Sequence, residues 1–184
     1  MDVVVNEICE IFELHSREKG IVHVTSWEYQ KNILEKLPKK YLKRIGCVIH
    51  DDGFFDSHSI KNTHYFKSVD KLLAFHKTSN EPTVILSPSC WYGIDLRDDL
   101  SRFQIIVKAP FIPMTPTVSK KMKQMLRDGN DWYETKAAFK LVQGCGRSVR
   151  SKTDYATTYL LDSNCEKLLK NRHIRPWFLD AVKN

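Results

Sequence analysis

The sequence lacks any apolar stretch that approaches the length of about 18 residues expected of a transmembrane helix. No basic segment precedes the apolar residues near its amino terminus, so no secretory signal is expected either. Glycine and proline are scarce, at 7 each among 184 residues, and the chain has no low-complexity segment. These absences exclude collagen-like, disordered and repeat chains and predict one folded intracellular domain over residues 1–184.

Cysteine and histidine do not recur at the spacings of metal sites. The cysteines form no Cys-x-x-Cys pair, and their odd number is typical of free thiols in a reducing compartment. One polar loop is rich in His and Asp, but its spacing matches no standard ligand set. The sequence therefore predicts no metal ligands in this chain. The residues concerned are Cys9, Cys47, Cys90, Cys145 and Cys165 and, in the loop, His50, Asp51, Asp52, Asp56, His58 and His64.

Positive charge is concentrated in the second half of the chain. Up to residue 100 there are 13 basic and 15 acidic residues, a net of −2, whereas 16 basic and 7 acidic residues follow, a net of +9. Such a block favours a polyanionic partner, either nucleic acid or a nucleotide phosphate. A solvated surface rich in lysine would have the same composition, so charge alone leaves both interpretations open.

Short apolar strands alternate with helices along the chain. The strands show no polar alternation, which is typical of a parallel sheet covered on both faces. Ser26 stands where it would cap the helix that follows the first strand. We therefore predict a single α/β domain with a mostly parallel sheet. Strands are expected at 21–25, 45–49, 83–87, 103–107 and 157–161, and helices at 3–15, from 27, at 67–77, 118–127 and 131–145, and in short pieces to the end.

Two arginines three residues apart form the strongest local motif, which reads Gln143-Gly144-Cys145-Gly146-Arg147-Ser148-Val149-Arg150. At the end of a helix they would project into one space. Guanidinium groups match phosphate oxygens in pairs and stabilise the charge that develops in phosphoryl transfer. The alternative is an exposed basic helix end that only offsets the helix dipole.

A second motif follows a buried strand and reads Ser87-Pro88-Ser89-Cys90-Trp91-Tyr92-Gly93-Ile94-Asp95-Leu96. Ligands of parallel α/β sheets bind beyond the carboxyl ends of the strands, where this loop must begin. Gly93 would allow close approach of a backbone, and Asp95 would accept hydrogen bonds. The alternative is a structural turn with Trp91 buried in it.

Taken together and in this order, these motifs resemble the C-terminal motor domain of DinG/XPD-type superfamily 2 DNA helicases. The family's Ser-x-Trp-Glu-Gly-(Val/Ile)-Asp loop is matched by residues 89–95, and its Lys-Leu-Pro-Phe-like turn by residues 108–111. Its Gln-x-x-Gly-Arg-x-x-Arg motif is matched by residues 143–150, and the Thr-Asp turn that follows by residues 153–156. The resemblance covers nearly the whole chain and implies a RecA-like three-layer lobe.

The resemblance also implies a role in ATP hydrolysis. Arg147 and Arg150 would reach the γ-phosphate, with Arg150 as the arginine finger, and Gln143 would help to position nucleotide or water. Gly93 and Asp95, together with Gly146, would couple the nucleotide site to the nucleic-acid track. The sequence contains no G-x-x-x-x-G-K-[ST] segment, so we expect an N-terminal Walker-A domain, outside this chain, to hold most of ATP and Mg²⁺. The isolated chain is then half of an ATPase and inactive.

Single-stranded DNA is the second partner that the resemblance implies. Thr25 and Ser26, after the first strand, match the family's contact with the tracked strand, and Ser89 would add another. The sequence departs from the family at Tyr92, where Glu is usual, and at Ala156, where Gly is common. A different class of function therefore stays open, namely a nucleic-acid-binding or interaction module that kept the fold and lost the motor.

Overall fold

The computed structural model describes residues 1–49, 60–149 and 153–183. Arg150 and the acidic and histidine-rich stretch 50–59 lie outside the described residues. The strands form one sheet of six in the order β3-β2-β4-β1-β5-β6, and every pairing is parallel. The strands are β1 Gly20–His23, β2 Ile45–Val48, β3 His64–Phe66, β4 Val84–Leu86, β5 Phe103–Ile106 and β6 Thr157–Leu160.

The helices begin and end close to the positions that the sequence predicts. Ser26 caps the second helix, since its hydroxyl oxygen accepts a hydrogen bond from the Tyr29 amide at 3.2 Å. No helix among the described residues is long and apolar enough to cross a membrane. The helices are α1 Asp2–Leu14, α2 Trp27–Lys36, α3 Lys39–Leu42, α4 Val69–Thr78, α5 Pro116–Gln124, α6 Gly129–Cys145, α7 Ser163–Leu169 and α8 Pro176–Leu179, with 3₁₀ helices at Pro88–Trp91, Asp98–Leu100 and Leu126–Asp128.

Helices cover both faces of the sheet. Because successive side chains of a strand point to opposite faces, Val22 packs against α1, α2 and α3, whereas its neighbour Ile21 faces α4. On that second face, Ile106 of β5 packs against α6 and α7. The predicted α/β fold with a parallel sheet between two helical layers is therefore confirmed.

Two elements were not predicted. The strand β3 has only three residues and lies at the edge of the sheet, where its side chains are partly exposed. The run is too short for a pattern of alternation, and it is held by contacts from elsewhere, such as that of Phe66 with Phe75 at 5.1 Å between ring centroids. The helix α3 is a single turn of four residues after Pro38, too short for helical periodicity to indicate it.

One buried arginine joins three parts of the first face. The Arg44 side chain donates hydrogen bonds to the carbonyls of Phe12 at 3.0 Å and His15 at 2.9 Å, at the end of α1. It also reaches the Glu18 carbonyl at 2.9 Å and the Pro82 carbonyl at 2.8 Å. Arg44 therefore donates to carbonyls at the end of α1, before β1 and before β4; of the four, the His15 carbonyl also accepts from the Glu18 amide at 3.1 Å.

We expect Arg44→Met to lower the free energy of unfolding by about 2–4 kcal/mol, because it leaves buried carbonyls unsatisfied. Lys43→Met is the matched control, since the Lys43 side chain is exposed and its loss should change stability by less than about 0.5 kcal/mol. Urea unfolding of both variants measures the difference. Equal stabilities would show that Arg44 contributes no more than a surface residue.

Candidate functional site

The two sequence motifs meet on the second face of the sheet. The loop of residues 87–101 leaves β4 at the carboxyl edge and returns to the start of β5, passing the end of α6. There the Leu96 amide donates to the Arg147 carbonyl at 3.4 Å, and Nη1 of Arg147 donates to the Ile94 carbonyl at 3.4 Å. Residues some fifty positions apart in the sequence are thus brought together.

Trp91 anchors this loop beneath the sheet. It is 2% exposed, and its indole Nε1 donates to the Val24 carbonyl at 2.7 Å, directly before Thr25. The opposite side of the ring contacts α6, where a Cβ added to Gly144 would lie 2.8 Å from Cζ3 of the indole. The Trp91 ring therefore packs between the end of β1 and α6, and the missing side chain of Gly144 leaves room for it.

A buried amide connects the strands to the end of α6. The Gln104 Nε2 donates to the Cys145 carbonyl at 2.6 Å and to the Thr158 hydroxyl at 3.0 Å. A backbone carbonyl can only accept, so this fixes the amide orientation and leaves Gln104 Oε1 to accept from His23 Nε2 at 3.3 Å. The second nitrogen of His23, Nδ1, is buried without a hydrogen bond in the described part of the chain. Burial lowers the pKa of His23 to about 4, so the ring is neutral.

The Gln104 contacts were not predicted from the sequence. A signal was present, because Gln104 is the one polar residue in the strand Phe103–Ile106 and is fully buried there. A polar side chain in an apolar strand needs a buried partner. The partner itself could not be identified, since Cys145 lies 41 positions away and contributes only its backbone.

The predicted phosphate-binding residues lie at the end of α6. Gln143 and Gly146 are exposed, whereas Arg147 is partly buried. The Arg147 Nε is buried and makes no hydrogen bond within residues 1–49, 60–149 and 153–183. Another nitrogen of the same guanidinium, Nη1, donates to the Ile94 carbonyl. Arg150 falls outside the described residues, so its predicted place beside Arg147 stays a prediction.

Gly93 and Asp95 lie in the loop that contacts Arg147. Gly93 is exposed and has a φ of +72°, a left-handed conformation that favours glycine, and no atom lies within 4 Å of the place a Cβ would take. The Asp95 carboxylate accepts from Nε of Arg97 at 2.7 Å. The loop therefore has an open backbone at Gly93 and, two residues later, a carboxylate that is held in an ion pair.

The predicted nucleic-acid contacts follow neighbouring strands. Thr25 and Ser26 come after β1, and Ser89 comes after β4, which pairs with β1 in parallel. They therefore share the carboxyl edge of the sheet. Ser89 is exposed, while Thr25 and Ser26 are half-buried. One lone pair of the Ser26 oxygen is already used as the cap of α2, so its hydroxyl proton and second lone pair remain for a ligand.

The Thr-Asp turn of the sequence is fixed by an ion pair. The Arg102 guanidinium donates to Asp154 at 2.9 Å and to Asp99 at 2.8 Å. The Asp154 side chain is 1% exposed, and it also accepts from the Asp98 amide at 3.4 Å. These bonds hold the chain before β6 against the chain before β5, next to the end of α6.

Among the described residues, no group of three or more His, Cys, Asp or Glu side chains could hold a metal ion.

The fold and the joined motifs define a RecA-like lobe of the helicase type. The family model of the helicase C-terminal domain matches residues 8–184. The chain belongs to this family, in its DinG/XPD-type branch.

Individual relatives agree with this placement. The chain is 30% identical over 186 residues to the 3'-5' exonuclease DinG of Bacillus subtilis, covering 97% of this chain and 18% of that protein. It is 32% identical over 96 residues to the ATP-dependent DNA helicase chl-1 of Caenorhabditis elegans, covering 50% of this chain and 12% of that protein. A solved XPD helicase superposes with a TM-score of 0.63 at 18% identity, covering 93% of this chain and 30% of the other. The chain thus spans less than a fifth of these two curated relatives.

We expect Gly144→Ala to destabilise the domain by about 1–3 kcal/mol, because the added methyl group would displace the Trp91 ring. Gly146→Ala is the matched control, since its Cβ would meet no atom closer than 3.6 Å, and it should change stability by less than about 0.5 kcal/mol. Urea unfolding gives the stabilities, and NMR of the indole N–H of Trp91 reports its environment. An unshifted resonance in Gly144→Ala would contradict the close contact.

The stability of the domain should fall as the pH is lowered from 6.5 to 4. The folded state holds the pKa of His23 at about 4, below its ordinary value of 6.5, so in that window the unfolded chain binds a proton that the folded chain does not. His23 alone is expected to contribute a slope of about 1.4 kcal/mol per pH unit, with a total of about 3 kcal/mol. Burial lowers the pKa of His76 in the same way, also to about 4.

Unfolding in urea at pH 7, 6 and 5 measures this slope. His23→Gln should reduce it by about 1.4 kcal/mol per pH unit, and a second substitution, His76→Gln, should reduce it again. A His23→Gln variant with the slope of the wild type would mean that His23 is protonated equally well in the folded and unfolded chains.

Proposed function

We propose that this chain is the C-terminal motor lobe of an ATP-dependent DNA helicase or translocase. The observation that carries the proposal is the contact between Arg147 and the Ile94–Leu96 segment. This contact joins the proposed phosphate-binding motif to the loop of residues 87–101. The same loop is bonded to the end of β1 through Trp91. A nucleotide bound at Arg147 would thereby act directly on the loop that lies beside the proposed track.

ATP would bind where this lobe meets an N-terminal Walker-A lobe, in the same polypeptide or in a separate chain. That lobe would cradle the β- and γ-phosphates and hold Mg²⁺, and residues 1–184 would form the second lobe. Arg150 and Arg147 would stabilise the charge on the transferred phosphoryl group, and Gln143 would position nucleotide or water. The exposed Gly146 would leave room for a phosphate near the helix end.

Single-stranded DNA would follow the carboxyl edge of the sheet. Thr25, Ser26 and Ser89 would donate hydrogen bonds to its phosphates, contacts that are insensitive to base sequence. The relatives named above as helicases act on DNA according to their names, which favours DNA as the track. The net charge of +9 after residue 100 would contribute to a binding affinity that falls steeply with salt.

The proposal is tested by combining the chain with the N-terminal helicase lobe of its own or a neighbouring gene and measuring DNA-stimulated ATP hydrolysis. Arg150→Ala should lower kcat by about 10³-fold or more, the effect of removing an arginine finger. Arg147→Lys keeps the charge but loses the planar fork. It should also lower kcat, though less than Arg150→Ala, because part of the Arg147 guanidinium is bonded to Ile94 in this lobe.

Arg17→Ala is the control, since Arg17 is an exposed arginine in the turn after α1, away from the site. It should leave kcat unchanged. Hydrolysis by this chain without a second lobe would contradict the half-site arrangement. DNA binding by the pair of lobes without any nucleotide hydrolysis or nucleotide-dependent change would instead identify a binding module without a motor.

A further inference from the structure

Tyr92 is exposed beside a buried tryptophan. Its side chain is 55% exposed, whereas that of Trp91, the preceding residue, is 2% exposed. It occupies the position where the family resemblance leads one to expect Glu, so an aromatic ring replaces a carboxylate. A large apolar ring that is left in water at a functional loop calls for a ligand with an apolar face.

A lysine is held against this ring. The Lys140 Nζ lies 5.1 Å from the centroid of the Trp91 ring and 5.4 Å from that of Tyr92, so it contacts both aromatic side chains. Lys140 is half-buried, and burial lowers its pKa from the ordinary value. The side chain is therefore a localised cation next to an exposed π system, and not a freely moving surface lysine.

The loop around Tyr92 is open, and a basic segment begins at the same edge of the sheet. Ser89 and Gly93, on either side of it in the loop, are both exposed. The segment that follows β5 and includes α5 contains basic residues and no Asp or Glu. Like the Tyr92 loop, this segment begins at the carboxyl edge of the sheet. Its basic residues are Lys108, Lys120, Lys121, Lys123 and Arg127.

An aromatic face, an adjacent cation and an open basic edge together match a ligand that is extended, anionic and rich in π faces. Single-stranded nucleic acid has this chemistry, because each base stacks on an aromatic ring and each phosphate attracts a cation. We propose that Tyr92 is a stacking platform for one base of a single strand and that Lys140 binds the phosphate beside it. This inference rests on the proposed function only for the path of the strand along the carboxyl edge.

The test measures the affinity of the 184-residue chain for an oligothymidylate of about 16 nucleotides and for an abasic strand of equal length. Tyr92→Ala should weaken binding to oligothymidylate roughly 5- to 100-fold, the range for loss of one stacked base. Tyr92→Phe keeps the ring and should bind like the wild type. On the abasic strand, wild type and Tyr92→Ala should bind equally, because no base is present to stack.

Tyr155→Ala is the matched control. Tyr155 is 62% exposed and lies 4.4 Å from the Arg102 guanidinium, so it is also an exposed ring beside a cation, but it stands before β6 at the opposite edge of the sheet. Its loss should leave DNA affinity unchanged.

Lys140→Met should lower the slope of log affinity against log salt by about 0.7, the value for one phosphate contact on a single strand. Urea unfolding of each variant verifies that it is folded.

Four outcomes would overturn the proposal. Equal affinities of wild type and Tyr92→Ala for oligothymidylate would exclude stacking, as would an equal loss on the abasic strand. A loss in Tyr92→Ala of affinity for ATP but not for DNA would assign the ring to the nucleotide. The first result, combined with a collapse of ATP hydrolysis in Arg150→Ala, would leave the motor function intact. A wild-type chain that binds no single strand would remove both this site and the proposed track.

Discussion

The hydrogen bond from the Trp91 indole to the Val24 carbonyl is the constraint on which the site depends. It ties the loop after β4 to the carboxyl end of β1, the neighbouring strand, at 2.7 Å. An indole N–H can donate one hydrogen bond and cannot accept any, so when it is buried it needs an acceptor. The ring can therefore take only one orientation, and α6 can approach it only where Gly144 removes the Cβ. Loop, strand and helix are fixed relative to one another by this single side chain.

The buried Gln104 amide adds a second constraint at the same end of this helix, on the residue after Gly144. Its two donor bonds go to Cys145 on α6 and Thr158 on β6, and its acceptor bond comes from His23 on β1. In an apolar interior such a network costs little when it is complete and much when one member is lost. The carbonyl at the end of α6, directly before the Gly146-Arg147 turn, thus has a defined place. The position of Arg147 is set by the core as well as by the loop.

The sequence predicted the parts of this molecule that depend on local pattern. Short, mostly apolar runs located five of the six strands. The Arg147 motif and the Asp95 loop were singled out from the sequence separately, and the structure brings Arg147 into contact with Ile94. The strand β3 has too few residues to form a pattern. The roles of Arg44 and Gln104 depend on backbone carbonyls far away in the chain. A carbonyl is present at every residue, so no side-chain motif could identify these partners.

Two residues of the helix α6 contact two different parts of the site. Its Lys140 lies against the Trp91 and Tyr92 rings, while its last residue, Cys145, is bonded to Gln104. These two positions are separated by about 7.5 Å of helix, at 1.5 Å per residue. A helix packed into the core moves as a unit, so a shift at its carboxyl end, where the proposed phosphate-binding residues lie, must also move Lys140 and the rings it contacts. Tyr92, in the loop that packs on this helix, thus presents an exposed aromatic ring where the resemblance leads one to expect a carboxylate, and any shift of α6 reaches that ring through Lys140.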